Sequence, residues 1–459
     1  MSDPYTRIVS GVLFPLQERF KKHNTVQVRK AMEASQWLSE DAIGDIQLQR
    51  LRQLLVSVAS TVPYYRNLFE KLGFDPASVT SVRDLERLPF LTKEVIRANT
   101  DALKAVNATG LARFNTGGSS GVPLIFFIGT ERVSHDVAAK WRATRWWDVD
   151  IGDREMVVWG SPIELGTQDR LRQLRDRFMR TELIPAFEMS DAKVDGFIER
   201  IRKWRPKMLF GYPSAIGHIA KRAELSGQRL DDLGVKVVFC TSERLYDHQR
   251  ETIERLFACP VANGYGGRDA GFIAHQCPHG SMHITAEDIV VEIIDEQGRL
   301  VPPGVSGEIV VTHLATPDYP FIRYRTGDVG TLSDELCGCG RGLPVLKDIQ
   351  GRATDFVVAA DGTVMHGLSL IYILRDLPQV EAFKIVQERL DLTRVMIVCA
   401  PGADALKLSS VVRTGFKQRL GDNVHIDIEV VKDIPAEKSG KFRYVISHVK
   451  PQQDAAPHA

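Results

Sequence analysis

A regular alternation of strand and helix patterns between residues 194 and 262 constrains the fold most strongly. Short apolar runs typical of buried strands alternate with stretches in which apolar residues recur every three or four positions, as on one face of a helix. The helices are predicted at Val194–Trp204, Ser214–Leu225 and Asp247–Phe257, and the strands at Met208–Phe210, Val235–Cys240 and Val261–Ala262. This spacing predicts an α/β fold built on a parallel sheet with crossover helices.

Three loops rich in small residues follow the predicted strands. They are Gly211-Tyr212-Pro213, Thr241-Ser242-Glu243 and the stretch from Gly264 to Asp269, which begins Gly264-Tyr265-Gly266. Ligands of parallel sheets gather outside the carboxyl ends of the strands. The sequence therefore predicts a ligand site formed by these three loops.

A loop rich in glycine and hydroxyl residues precedes the alternation. Residues 114–123 read Phe-Asn-Thr-Gly-Gly-Ser-Ser-Gly-Val-Pro. Glycine lets the backbone approach an anion, and amides and hydroxyls supply neutral donors to phosphate oxygens. The Lys-Ser/Thr pair of the common P-loop is missing, and a Gly/Ser hairpin turn is the alternative. The predicted phosphate contacts come from Thr116, Gly117, Gly118, Ser119, Ser120 and Gly121.

The chain of 459 residues is longer than a single hydrophobic core usually supports. We expect a large N-terminal domain over residues 1–350, which begins with a helical region over about residues 1–105 and ends in a β-rich part. A small α+β domain is predicted over residues 351–448, with helices at Leu368–Leu374 and Ala405–Leu420. Residues 449–459 are predicted to form a disordered tail.

The composition narrows the classes of partner. Lys plus Arg is 59 and Asp plus Glu is 58, a near cancellation that argues against nucleic acid or an anionic membrane as the main partner. The longest apolar runs are far too short to span a bilayer, and no secretory signal is evident. Six cysteines in so long a chain are no disulfide scaffold, so a cytoplasmic location is expected.

Six short motifs in a fixed order resemble the adenylate-forming ligases, in particular their phenylacetate–coenzyme A ligase-like branch. The resemblance covers nearly the whole chain and implies that family's fold, with a mobile C-terminal domain. The motifs are Thr116–Pro123 as the pyrophosphate loop, Thr241–Leu245 as the adenine-side loop, Gly264–Asp269 as the metal-binding loop, Tyr324–Asp328 as the ribose loop, Gly351-Arg352 at the hinge, and Lys438–Lys441 near the C-terminus.

The resemblance implies roles for individual side chains. Asp269 would bind Mg²⁺, which neutralises charge that develops toward pyrophosphate. Asp328 would accept hydrogen bonds from the ribose hydroxyls, and Ser242 and Glu243 would lie beside the adenine. Lys441 would place its ammonium group between the substrate carboxylate and the α-phosphate.

Each of these residues also has a simpler interpretation. Asp328 fits a turn aspartate, Lys441 a solvated hairpin lysine, and Glu243 a carboxylate at a helix N-terminus. Two positions depart from the family pattern: Asp269 stands where glutamate is usual, and Gly118 where a hydroxyl or bulkier residue is more frequent. The order of the motifs favours the functional interpretation of all three residues.

The sequence also predicts a second metal ion, which would take no part in the reaction. Cys277 and His283 lie in one loop and Cys337 and Cys339 in another, a Cys₃His set that suits tetrahedral Zn²⁺. Some members of the resembled family bind zinc through the same pairs. In the alternatives the thiols are isolated or Cys337 and Cys339 form a strained bridge, and His275 or His279 replaces His283.

The expected function is ATP-dependent activation of a small carboxylic acid through an acyl- or aryl-adenylate, followed by transfer to coenzyme A. An aromatic acid is one alternative for the substrate, and a homodimer is left open. An amine or a carrier thiol is the alternative acceptor. A homologue that binds nucleotide without turnover is the alternative of a different class, against which Asp328 and Lys441 argue.

Overall fold

The computed structural model describes residues 3–115, 124–159, 175–186, 189–295, 297–351, 356–375, 377–400, 402–432, 434 and 445–449. The first hundred residues are helical, as predicted. The elements are α1 (Pro4–Ile8), a π-helical turn (Val9–Leu13), α2 (Phe14–Phe20), α3 (Thr25–Ser35), α4 (Glu40–Thr61), α5 (Pro63–Leu72) and α6 (Lys93–Ala98), with 3₁₀ helices at Pro76–Ser78 and Val82–Arg87.

The longest helix, α4, illustrates how the sequence specifies this region. The hydroxyl of Ser39 accepts a hydrogen bond from the amide of Ala42 and caps the first turn, where Glu40 and Asp41 favour the helix dipole. Its buried face joins a core that also contains side chains of the sheet, such as Ile273 and Tyr324. The N-terminal helices therefore share one core with the sheet that follows.

The parallel sheet predicted from the alternation is present. Strands β4, β3, β5, β6 and β7 lie side by side in that order and are parallel. The elements are β1 (Ala112–Asn115), β2 (Ile125–Ile128), α7 (Thr130–Arg145), β3 (Glu155–Trp159), β4 (Thr181–Pro185), α8 (Asp191–Trp204), β5 (Met208–Gly211), α9 (Pro213–Leu225), β6 (Val237–Thr241), α10 (Asp247–Phe257) and β7 (Val261–Gly267).

The β-rich part continues the same sheet with antiparallel strands. From β7 the order runs β8, β9, β13, β12, β11, β10, which gives eleven strands in the described sheet. The strands are β8 (Gly271–Gln276), β9 (Met282–Ile284), β10 (Ile289–Ile294), β11 (Gly307–His313), β12 (Tyr324–Leu332) and β13 (Val345–Gly351).

Residues 356–449 form a smaller α+β unit with its own hydrophobic core, in which Ile371, Ile397 and Phe416 are fully buried. Its four-stranded sheet has the order β18, β17, β16, β19, and β14 pairs with β15. The elements are β14 (Phe356–Val358), β15 (Val364–His366), α11 (Leu368–Arg375), β16 (Val380–Arg389), β17 (Leu392–Cys399), α12 (Ala405–Leu420), β18 (His425–Val430) and β19 (Val445–Ser447). The predicted fold class is therefore confirmed.

Among the described helices, none has the length and apolarity needed to cross a membrane.

Candidate active site

The three predicted segments meet at one edge of the parallel sheet, although residues 264–267 of the third belong to strand β7 and only residues 268–270 form the loop after it. Gly211 ends β5 beside Cys240 of β6, and Thr241 ends β6 beside Gly264 of β7. A Cβ atom on Gly211 would clash with the carbonyl oxygen of Val158, so only glycine fits where the backbones approach this closely. The carboxyl ends of three strands thus converge where a ligand of a parallel sheet is expected.

The loop after β6 combines an unusual backbone conformation with a buried carboxyl. Ser242 has φ of 69°, in the left-handed region that non-glycine residues rarely occupy. Such strain is concentrated at ligand sites. The Glu243 side chain accepts a hydrogen bond from the amide of Ser214 at 3.3 Å, and burial raises the pKa of Glu243 to about 7. This carboxyl is therefore close to half protonated at neutral pH.

The raised pKa of Glu243 predicts a pH-dependent stability. Between about pH 4.5 and pH 7 the unfolded chain ionises this carboxyl and the folded chain does not, so stability falls as the pH rises. Glu243→Gln removes the penalty and is expected to raise the free energy of unfolding by roughly 1–3 kcal/mol at pH 8, with little change at pH 4.5. Urea denaturation across this range measures the effect.

Glu251→Gln is the matched control, because Glu251 is an exposed glutamate on α10. It should leave the pH dependence unchanged. An equal gain in stability at pH 5 and pH 8 for Glu243→Gln would contradict the assignment of the raised pKa.

Two tyrosine–aspartate hydrogen bonds join β7 and the loop that follows it to strand β12. The hydroxyl of Tyr324 donates to Asp269 Oδ2 at 2.5 Å, and the hydroxyl of Tyr265 donates to Asp328 Oδ2 at 2.9 Å. Each segment thus contributes one tyrosine and one aspartate. Asp328 also receives local support, since its amide donates to the hydroxyl of Thr326 at 3.1 Å. The two predicted acids are thus oriented by side chains and lie on connected segments.

The buried Arg323 anchors β12 to the N-terminal helical region, a role that its neighbours in the sequence do not indicate. Its guanidinium donates to both carboxylate oxygens of Glu292, at 3.1 and 2.8 Å, and to the carbonyl oxygen of Leu88 at 2.7 Å. The backbones are joined as well, because the amide of Leu91 donates to the carbonyl of Arg323 at 2.9 Å. Arg323 itself has φ of 52°. Arg323, the residue immediately before the predicted ribose loop, is therefore held by side-chain bonds to Glu292 and Leu88 and by a backbone bond from Leu91.

The four residues predicted to bind zinc lie together. All four candidate ligand atoms of Cys277, His283, Cys337 and Cys339 are within 4.8 Å of one another. The sulfurs of Cys277 and Cys337 are 3.7 Å apart, and the Cys339 sulfur is 3.2 Å from His283 Nε2. The pairing of β13 with β9 brings the two loops together. His283, rather than His275 or His279, lies beside the thiols.

The geometry of this cluster fits a tetrahedral ion. With bonds of about 2.3 Å, tetrahedral coordination separates two sulfurs by roughly 3.8 Å. The other ring nitrogen of His283, Nδ1, is 3.2 Å from the carbonyl oxygen of Leu343, a second contact typical of metal-binding histidines. Burial lowers the pKa of His283 to about 4, so the imidazole is neutral, which is the form that binds a metal. The donor set and its spacing therefore suit Zn²⁺.

A row of aromatic rings crosses the sheet beside Gly264. The rings of Phe210 and Phe239 are stacked at 5.7 Å, and His275 lies 6.0 Å from Phe239 and 5.5 Å from Phe272. A Cβ on Gly264 would clash with the Phe239 ring, so the glycine makes room for it. Both ring nitrogens of His275 are buried and lack a hydrogen-bond partner among the described residues. Phe210 and Phe239 are buried in one hydrophobic cluster, against which the partly buried Phe272 packs.

Several predicted site residues lie outside the described residues. They are Thr116, Gly117, Gly118, Ser119, Ser120 and Gly121 of the glycine loop, Arg352 at the predicted hinge, and Lys441. The described strands β1 and β2 flank the glycine loop and pair with each other. The roles of these residues remain predictions.

Comparison with known proteins gives matches over most of the chain. A model of the AMP-binding enzyme family matches residues 180–315, and a model of the CapK C-terminal domain matches residues 357–448. Protein CapK of Staphylococcus aureus is 24% identical over 445 residues, 96% of each chain. Phenylacetate-coenzyme A ligase of Pseudomonas putida is 26% identical over 340 residues, 72% of this chain and 75% of the relative.

A solved structure of 2-hydroxyisobutyryl-CoA ligase, in complex with 2-HIB-AMP and CoA in the thioesterification state, has a similar fold. The TM-score is 0.64 with 21% sequence identity, and the match covers 88% of this chain and 89% of that one. At this identity the likeness concerns the fold.

Proposed function

We propose that the chain is an adenylate-forming enzyme of the phenylacetate–coenzyme A ligase-like branch, which activates a carboxylic acid with ATP and transfers the acyl group to coenzyme A. The observation that carries the proposal is the pair of tyrosine–aspartate bonds. They orient Asp269 and Asp328 on connected segments at the edge of the sheet where the loops after β5, β6 and β7 converge. Two oriented carboxylates at these strand ends would suit the ribose of a nucleotide and a cation beside its phosphates.

The reaction has two steps. A carboxylate oxygen of the acid attacks the α-phosphorus of ATP, a P–O bond forms, and pyrophosphate leaves with the electron pair of the broken bond. The thiolate of coenzyme A then attacks the acyl carbon, and AMP leaves. Both steps bring anions together, so the site must orient them and offset their charge.

Asp328 and Asp269 would have different roles in orienting these anions and offsetting their charge. Asp328, oriented by Tyr265, would accept hydrogen bonds from the ribose hydroxyls and fix the nucleotide. Asp269 accepts its hydrogen bond from Tyr324 at Oδ2, so its second oxygen suits a hard cation. Mg²⁺ bound there would neutralise charge on the phosphates. Glu243 and Ser242 would contact the adenine side.

The remaining roles are proposed from the sequence motifs. The loop from Thr116 to Gly121 would hold the outer phosphates. Lys441 would reach the reacting centre from a C-terminal domain beginning near residue 351, with Arg352 at the hinge. In support of a separate domain, residues 356–449 have their own core, including Phe383 and Val395.

The aromatic row supports an aromatic acid as the substrate. Phe272, which is only partly buried, would be the ring of this row that contacts an aryl tail, while the buried Phe210 and Phe239 pack with it in one hydrophobic cluster. An amine or carrier thiol remains the alternative acceptor.

All six cysteines are free, which agrees with a reducing cytoplasm.

ATP–pyrophosphate exchange over a panel of aryl and alkyl carboxylic acids tests the first step. Aryl acids are expected to support exchange, and exchange with Asp269→Ala should fall by about 100-fold or more. Product analysis with coenzyme A and with simple amines then identifies the acceptor. Binding of ATP without exchange for any acid would favour the non-catalytic alternative.

The Cys₃His cluster would hold Zn²⁺ in a structural role, since four protein ligands leave no open position. The loop that carries Cys337 and Cys339 also reaches the N-terminal helices, because the amide of Gly342 donates to the carbonyl of Gln36 at 3.0 Å. The ion would therefore fasten the β-rich part near these helices.

Cys337→Ser is expected to lose the metal and lower the melting temperature. Wild type should contain about one zinc ion per chain by elemental analysis, and the variant close to none. Cys399→Ser is the matched control, because Cys399 is a part-buried free thiol in the C-terminal sheet. Wild-type protein without zinc, or a variant that keeps it, would rule out the site.

A further inference from the structure

The outward face of the N-terminal helical run, from α1 through the π-helical turn to α2, has a composition unlike that of an ordinary solvent face. The inward face is fixed to the rest of the protein. The hydroxyl of Thr6 donates to Asp153 at 2.8 Å, the hydroxyl of Tyr5 donates to the carbonyl oxygen of Phe178 at 2.9 Å, and Val9 is fully buried. The run is therefore a held element with one face turned to solvent.

Four large apolar side chains form a line along that face. Phe20 is 87% exposed, and Ile8, Val12 and Leu16 are each about half exposed. We call these four residues the N-terminal apolar stripe. They are spaced by four, which in an α-helix would drift around the axis; the wider π-helical turn at Val9–Leu13 offsets part of this drift. π-helical turns are rare and are frequent at functional sites.

Basic residues border the stripe. Arg7 and Arg19 are exposed on the helical run, and Lys21 and Lys22 are exposed in the turn that follows Phe20. The two acidic residues of the run already have partners. Asp3 pairs with Arg180 at 2.6 Å. The buried Glu18 accepts hydrogen bonds from Thr25 at 2.5 Å and from His23 at 3.1 Å. Lys21 lies 3.9 Å from Glu18. The face is therefore apolar along its centre and positively charged at its edges.

We propose that this face binds the surface of a bilayer that contains anionic phospholipids. Exposed apolar side chains flanked by Lys and Arg, on a helix lying in the plane of the interface, are the features of monotopic membrane binding. The stripe would enter the boundary between head groups and acyl chains, and the basic groups would contact lipid phosphates.

A second copy of the chain fits this face less well. In a twofold dimer the face would meet itself and bring the basic residues of both copies together, while Asp3 and Glu18, the two acids of the run, are already paired within the chain. Four side chains also fall short of the roughly 800 Å² per partner of a stable interface. The near-neutral charge of the whole chain does not reveal this local excess, because acidic residues elsewhere cancel it.

Vesicle co-sedimentation of the full chain tests the proposal. Binding is expected to vesicles in which about a third of the lipid is phosphatidylglycerol, and not to phosphatidylcholine alone. Phe20→Glu should reduce the vesicle-bound fraction by about tenfold, and Lys22→Glu by about fivefold or more. Raising the salt concentration should release the protein.

Leu225→Glu is the matched control, because Leu225 is an exposed leucine at the end of α9, away from the stripe. It should bind vesicles like wild type, and melting temperatures should show that all variants fold. Failure of wild type to bind anionic vesicles overturns the proposal, as does unchanged binding of Phe20→Glu. A dimer in light scattering that Phe20→Glu converts to monomer would assign the face to a second copy instead.

Discussion

Replacing Lys441 with alanine is expected to slow ATP–pyrophosphate exchange by about 100- to 1,000-fold, while the KM for ATP changes little. A charge delivered to the developing bond stabilises the transition state more than the ground state. The nucleotide would still be held by the loops at the strand ends and by Asp328. The measurement is the exchange rate at saturating acid and varied ATP concentration.

Lys438→Ala is the control, because this lysine lies three residues away in the same motif. It should keep most of the exchange activity. If the proposed role is right, Lys441→Ala should still convert a supplied acyl-adenylate to the thioester, since the lysine serves the first step. Exchange near the wild-type rate in Lys441→Ala would disprove the assignment.

Replacing Arg323 with methionine is expected to lower the free energy of unfolding by about 3–5 kcal/mol, because it removes one partner of a buried ion pair. Glu292 would remain buried without its cation, and the carbonyl oxygen of Leu88 would lose a donor. Methionine retains much of the apolar volume, so the loss reports mainly on charge and hydrogen bonding. Denaturant unfolding at neutral pH measures it.

Arg325→Met is the comparison that makes this test specific. Arg325 lies two residues away on β12, which begins directly after Arg323, and it pairs with Glu308, but its side chain is 42% exposed. Exposed pairs contribute about 0–1 kcal/mol, so this variant should be close to wild type. Similar losses for both variants would show that the strand, and not the buried pair, is sensitive to substitution.

The sequence predicted the features that depend on neighbouring residues. The periodicity of Val194–Trp204 and the short apolar runs at β5 and β6 indicated their elements correctly, because local spacing alone distinguishes a helix face from a buried strand. Glycine-rich loops marked the strand ends for the same reason. The short sequence motifs that contain Asp269 and Asp328 could each be recognised without reference to the other.

Contacts between distant segments could not be obtained in this way. The sequence around Tyr324 does not indicate that its hydroxyl contacts Asp269. The sequence around Arg323 likewise does not predict its hydrogen bonds to Leu88 and Glu292. The sequence favoured His283 and left His275 and His279 as alternatives, and the pairing of β13 with β9 is what places His283 beside the thiols. These are consequences of strand order and register, which a one-dimensional pattern does not specify.

The bond between Arg323 and Leu88 also constrains how the protein can be made. These residues are 235 positions apart, and core residues of α4 and α5 pack against strands that are synthesised equally late. At ribosomal rates of 5–20 residues per second, the helical region waits roughly 10–50 s for the strand that completes its core. During that interval its apolar faces are exposed, so nascent chains should depend on chaperones far more than the finished protein does.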